Sequence, residues 1–202
     1  APRKTRKPVI GPALRAWAVN NLVLVVITLT AWPLLRLSGV HAGPLPAWWV
    51  MALQIVGFVY LDDFLYYWMH RTMHRGWLWK RIHSVHHRIA KPWAITGHQM
   101  HWVEFVLTGT LMLLGPLLVG AHVVTIYLWI AVRQWEAAEG HCGYDFPVGL
   151  THWLPGSDGA LHHDFHHSKV KGNYAGFLAW TDRAFGTLVP GYLEAKARRR
   201  AE

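Results

Sequence analysis

Residues 13–37, ALRAWAVNNLVLVVITLTAWPLLRL, carry no charge from Trp17 to Leu35. A helix rises about 1.5 Å per residue, so a run of about 20 such residues reaches across a ~30 Å hydrocarbon layer. Lipid offers no hydrogen bonds to the backbone, so such a run is committed to helix. A second run, AWWVMALQIVGFVYLDDFLYYWM (47–69), opens on Trp48 and Trp49 and ends among Tyr66, Tyr67 and Trp68. Amphipathic rings of this kind favour the two rims of a bilayer. The loop between the runs, SGVHAGPLP (38–46), holds two prolines and two glycines. A third run (103–120) meets a fourth (121–135) with almost no loop between them. Both are short for independent spans, so they read as a partly crossing hairpin or as tilted helices that continue out of the lipid. The expected fold is all-α: an integral membrane protein with about four transmembrane helices, one domain over 1–202, and a basic tail at 1–12.

Composition agrees with this class. Apolar residues make up 52% of the chain and charged residues 15%, with 13 tryptophans. Ordinary soluble proteins carry about 25% charged residues. A formal net charge of +9 suits either nucleic acid or anionic headgroups; the apolar content selects headgroups and argues against a nucleic-acid partner. The first run has the basic start of a signal peptide. It is too long for an h-region and no A-x-A site follows it, so it reads as a retained span. Cys142 is the sole cysteine, which rules out an internal disulfide and a thiolate cage. Of the 20 Lys and Arg residues, all but Arg36 fall within 3–15, 71–101 or 133–202. Four spans put those three segments and both termini on one side, which the positive-inside rule makes cytoplasmic.

The chemistry lies in the histidines, of which there are 15. His70 and His74 read H-x-x-x-H at the cytoplasmic exit of the second run. His83, His86 and His87 read H-x-x-H-H, and His163, His166 and His167 repeat it, with His162 in front. His98 and His101 precede the third run, and His141 follows the fourth. Residues i, i+3 and i+4 share a helix face, so each set can converge two or three ring nitrogens. Neutral imidazole is a common ligand of zinc, iron, copper and nickel. About ten nitrogens exceed one ion's coordination number, so the count favours two metals. A headgroup belt would use Lys and Arg and would not keep this spacing three times. His41 and His122, near the opposite loops, and His152, near a turn, read as ordinary residues.

With these motifs the chain resembles the fatty acid hydroxylase/sterol desaturase superfamily, whose histidine boxes are HxxxH, HxxHH and HxxHH. Here they stand as HRTMH (70–74), HSVHH (83–87) and HHDFHH (162–167). MHWVE (100–104), EGHCGYDFP (139–147), KGNYAGF (171–177) and WTDRAFGT (180–187) resemble the C4-methylsterol oxidase branch. Ceramide hydroxylases of the superfamily place a further histidine four residues beyond the His141 position, where this chain has Asp145. The resemblance implies a non-haem di-iron site that activates O2 and hydroxylates an unactivated C–H bond of a lipid. It assigns as ligands His70, His74, His83, His86, His87, His163, His166 and His167, with His101 and His141 added.

Two iron ions are the expected cofactor, because among nitrogen-bound candidates iron can cycle O2; zinc can take the same ligands. Ligating rings need an acceptor for their second N–H. Asp63, Glu104, Asp145 and Asp164 are the candidates, Asp63 foremost because it lies nearly two turns before His70. No Gly-rich nucleotide fingerprint is present, so electrons must come from a partner such as a cytochrome b5-, ferredoxin- or reductase-like protein. Desaturation of a lipid on the same site is the alternative chemistry. A non-catalytic metal-binding membrane protein is the alternative of another class, although the histidines stop at one face, which counts against transport.

Overall fold

A computed structural model describes residues 10–150 and 152–201. Among the described residues there are eight α-helices: α1 (Ile10–Leu35), α2 (Trp48–Met73), α3 (Gly76–Arg81), α4 (Trp102–Leu118), α5 (Val123–His141), α6 (Ala160–Lys169), α7 (Trp180–Ala184) and α8 (Tyr192–Ala201). Short 3-10 helices occupy Arg36–Ser38, His83–Arg88 and Ala94–His98. No β-strand occurs among them, so the all-α expectation is met.

Of the expected basic tail at 1–12, the last three residues are described. Gly11 and Pro12 already lie in α1, because proline is tolerated in a first helical turn, where its missing N–H has no partner to lose. Residues 1–9 lie outside the described residues.

The long helices α1, α2, α4 and α5 form the body. Their two loops are tied together at one end. The Val123 N–H donates to the His41 carbonyl at 2.9 Å, and His122 Nε2 lies 3.0 Å from the Gly43 carbonyl. Gly39 and Gly120 both have positive φ and pack backbone on backbone; a Cβ at Gly120 would sit 3.0 Å from the Gly39 oxygen. His41 and His122 therefore serve the loops, far along the helices from the other histidines. Between α2 and α4, Phe58 packs where Gly115 leaves no room for a Cβ, which would lie 2.7 Å from the ring. Trp129 is fully buried, donates to the Met112 carbonyl at 2.8 Å, and stacks on Phe177.

Two helices are long and apolar enough to cross a membrane: the stretch Ile10–Ala31 within α1, and α2. Their outward faces are apolar, with Leu29 71% and Trp48 77% exposed. α4 is apolar but has only 17 residues, and α5 carries Arg133, Glu136 and Glu139. Length and composition thus support two of the four expected spans. At the end opposite the tied loops, α3, the 3-10 helices His83–Arg88 and Ala94–His98, and α6–α8 form a cap.

Candidate metal centre

Nine of the ten expected ligands meet in the cap, in two groups. His70, His74, His83, His87 and His166 form one; His86, His141, His163 and His167 form the other. Within each group the nearest nitrogens lie within 4.8 Å of one another. In the first group the Nε2 atoms of His70 and His83 are 3.0 Å apart, those of His74 and His83 2.9 Å, and those of His166 and His87 3.0 Å. In the second, His163 Nε2 is 3.0 Å from His141 and 3.1 Å from His167.

The boxes do not each build one site, as the spacing suggested. Each H-x-x-H-H is split. His83 and His87 join the first group while His86 joins the second; His163 and His167 join the second while His166 joins the first. Helical residues advance about 100° each, so i and i+4 point together while i+3 points about 100° away from i+4. The two boxes thus exchange their middle histidines. That geometry splits HHDFHH in α6; HSVHH lies in a 3-10 helix, where its split follows from the two groups it lies between.

Fit to metal follows from where the protons are. Burial, together with the neighbouring rings, pushes His74, His87, His163, His166 and His167 well below the ordinary imidazole range, and His86 down to about 4. The rings are neutral, each with one N–H. His70 and His166 spend theirs from Nδ1 on the Tyr174 and Gly172 carbonyls, both at 2.7 Å. His141 does so on the Ala137 carbonyl at 2.7 Å, and His83 on Glu104 Oε1 at 2.6 Å. An N–H spent from Nδ1 in this way leaves Nε2 as the lone-pair atom, and the Nε2 atoms are the ones that face the other rings of each group. Such a convergence of nitrogens suits a metal cation. With metal–nitrogen bonds of about 2.0–2.1 Å, neighbouring ligands in one shell lie roughly 3 Å apart, as they do here.

Main-chain carbonyls orient three of these four rings, and no residue-type signal announces a carbonyl. The 172–176 loop supplies two of them through a strained turn. Val170 (φ +68°), Gly172 (φ +87°) and Asn173 (φ +51°) all adopt left-handed conformations, unusual for a β-branched residue and tolerated mainly at functional sites.

Of the four expected acidic partners, Glu104 holds a ligand ring. Asp63 does not: its Oδ1 accepts the backbone N–H groups of Gly176, Phe177 and Leu178 at 3.0, 2.7 and 3.1 Å. It holds the loop rather than a ring. Asp145 accepts the Leu161 N–H at 3.3 Å, at the start of α6. Asp164 is half-buried on α6. His101 stands outside both groups, where its Nδ1 accepts the Val103 N–H at the start of α4. His162 turns away to Asp182, with Nε2 at 3.2 Å. Burial works against the Asp182 carboxylate, yet His162, Thr187 and the Ala175 N–H hold it below its usual range.

The groups differ in their surroundings. Trp79 stacks on His74, and Tyr174 packs against His70, His74 and His166 in the five-histidine group. The four-histidine group instead borders a cavity of about 240 Å³ between α1, α4 and α5, lined in part by His86, His141 and His163.

The family model described as "Fatty acid hydroxylase" matches residues 55–187, which hold both histidine groups. The chain belongs to the fatty acid hydroxylase family. Among curated relatives, "Methylsterol monooxygenase 2-2" of Arabidopsis thaliana is 37% identical over 87% of this chain and 70% of its own length. "Methylsterol monooxygenase 2-1" of the same plant is 36% identical, over 85% and 68%. "Very-long-chain aldehyde decarbonylase GL1-10" of Oryza sativa subsp. japonica is 37% identical over 87% of this chain but spans further, so only 60% of it is covered. No solved structure matches the chain. The relatives bear the names of oxidoreductases, and the fatty acid hydroxylase resemblance read from the boxes is borne out, with methylsterol monooxygenases among the close relatives.

Proposed function

We propose that this member of the fatty acid hydroxylase family is a membrane-embedded di-iron monooxygenase that hydroxylates a C–H bond of a lipid. The observation that carries this reading is the asymmetry of the centre: the four-histidine group lines a cavity, and the five-histidine group does not. Nine neutral nitrogen donors in sets of five and four suit two ions, and iron supplies the O2 chemistry when bound. The overall reaction takes lipid, O2, two electrons and two protons to hydroxylated lipid and water. The electrons come from a separate electron-transfer protein.

The chain's own residues divide the work. His70, His74, His83, His87 and His166 would hold one ion, with the Tyr174 and Gly172 carbonyls and Glu104 fixing three of the rings. His86, His141, His163 and His167 would hold the other and leave a side open toward the cavity. At that side Ala137 and Gly140 offer no donor atom, and Asp145 is occupied at α6. Leu24, Phe105, Met112 and Ile130 give the cavity an apolar wall that suits a lipid and keeps water out. The whole chain is read as one multi-pass unit. On this reading α4 and α5 complete the membrane bundle as short or tilted helices, and the distribution of Lys and Arg supports a cap and termini on the cytoplasmic side.

Lipid mass spectrometry tests the proposal in cells expressing wild type or His86→Ala/His87→Ala under labelled O2. The expected product gains one labelled oxygen and is absent with the variant. Loss of two hydrogens would replace hydroxylation with desaturation, and loss of a carbon would favour the chemistry named for the decarbonylase relatives. No lipid change with wild type would leave a metal-binding protein.

A further inference from the structure

The cavity has two unlike ends. Toward the tied loops, α4 and α5 line it with Met112 and Ile130; toward the histidines they line it with Glu104, Arg133 and Glu136. Arg133 is buried and shared between two carboxylates, with Nε 2.8 Å from Asp62 and Nη1 2.5 Å from Glu136. Its guanidinium lies over the rings of Tyr66 and Phe177, each at 5.2 Å. Among the described residues, Arg133 Nη2, Glu136 Oε1 and the Tyr66 hydroxyl have no hydrogen-bond partner, and all three residues line the cavity. A buried charged trio is costly. One whose residues line a ligand-sized space and keep a donor and an acceptor unused has the form of a recognition site.

We infer that Arg133 and Glu136 seat an uncharged hydroxyl of the lipid substrate, and that the oxidised carbon lies close to that hydroxyl. This rests on the oxygenase reading above. A hydroxyl uses both free groups, accepting from Nη2 and donating to Oε1. A carboxylate does not fit: guanidinium stays protonated, and with two carboxylates bonded to it the trio has no net positive charge. The distance follows from helix geometry. Glu136 precedes His141 by five residues, roughly 7 Å along the α5 axis. The apolar body of the lipid then extends the other way, toward Met112 and Ile130. Oxidation at the far tail of a long chain is incompatible with this seating.

Equilibrium binding to the full-length, metal-loaded protein in detergent, without reductant, tests the seat apart from turnover. The probes are a tritiated 4-methylsterol and its 3-methyl ether, and hexadecan-1-ol, its methyl ether and palmitate. Wild type should bind at least one free alcohol about tenfold or more tighter than its ether, and hexadecanol tighter than palmitate. Glu136→Gln with unchanged metal content should shrink the alcohol–ether ratio to less than about threefold. Wild type that shows no preference for the alcohol in either pair overturns the inference, whether or not the variant folds. So does a folded Glu136→Gln that keeps the full ratio. Clear alcohol preference without any labelled product would keep the seat and reject the oxygenase.

Discussion

Glu104 is buried in the first turn of α4, beside the five-histidine group. It follows the histidine it serves by 21 positions, and its Oε1 accepts the His83 Nδ1–H at 2.6 Å. That contact fixes the tautomer that leaves Nε2 free for metal. Glu104→Ala should lower metal affinity of the five-histidine group about 10–100-fold, read by chelator competition, and leave the four-histidine group near wild type. An equal loss from both groups would show that Glu104 supports the fold rather than one ring. The neighbouring His101 carries the opposite lesson. It lies in a matching motif, yet its ring accepts from the Val103 N–H at the start of α4. A helix N-terminus offers unpaired donors, and a histidine placed there is drawn to them.

At the scale of elements, the 172–178 segment joins the body to the cap. Tyr174 and Gly172 hold His70 and His166 by their carbonyls, while Asp63 and Asp182 hold the backbone of the same segment from below and beside it. Asp63→Ala would strand three buried or half-buried N–H groups. We expect it to destabilise the protein by about 3 kcal/mol, seen as a lower thermal midpoint in detergent, with Asp63→Asn milder because it keeps an acceptor oxygen. An unchanged midpoint for Asp63→Ala would contradict this role. The helices α1 and α2 were legible because long uncharged runs permit little else, and the i,i+4 pairs were legible because a helix puts them on one face. The exchange of middle histidines between boxes was not. It depends on two elements 79 residues apart, His87 and His166, approaching face to face, and periodicity within one segment carries no such information. The carbonyl anchors escaped for a related reason: every residue has a carbonyl, so only the fold selects which ones serve.

For the whole molecule, a body of long helices meets a histidine-bearing cap, and the cavity lies among α1, α4 and α5 where His86, His141 and His163 line it. The tied loops at the opposite end hold the helix pairs in register, so the exits of α2 and α5 bring His70 and His141 to the same level as the boxes. Nine histidines then divide five to four, and the smaller set faces the cavity. The most direct test is the metal content of purified, iron-supplemented protein. Wild type should hold about two ions per chain. His86→Ala/His163→Ala and His74→Ala/His87→Ala should each hold about one, while His101→Ala and His162→Gln stay at about two. About one ion in wild type, or full loss from either paired variant alone, would contradict two separately built sites.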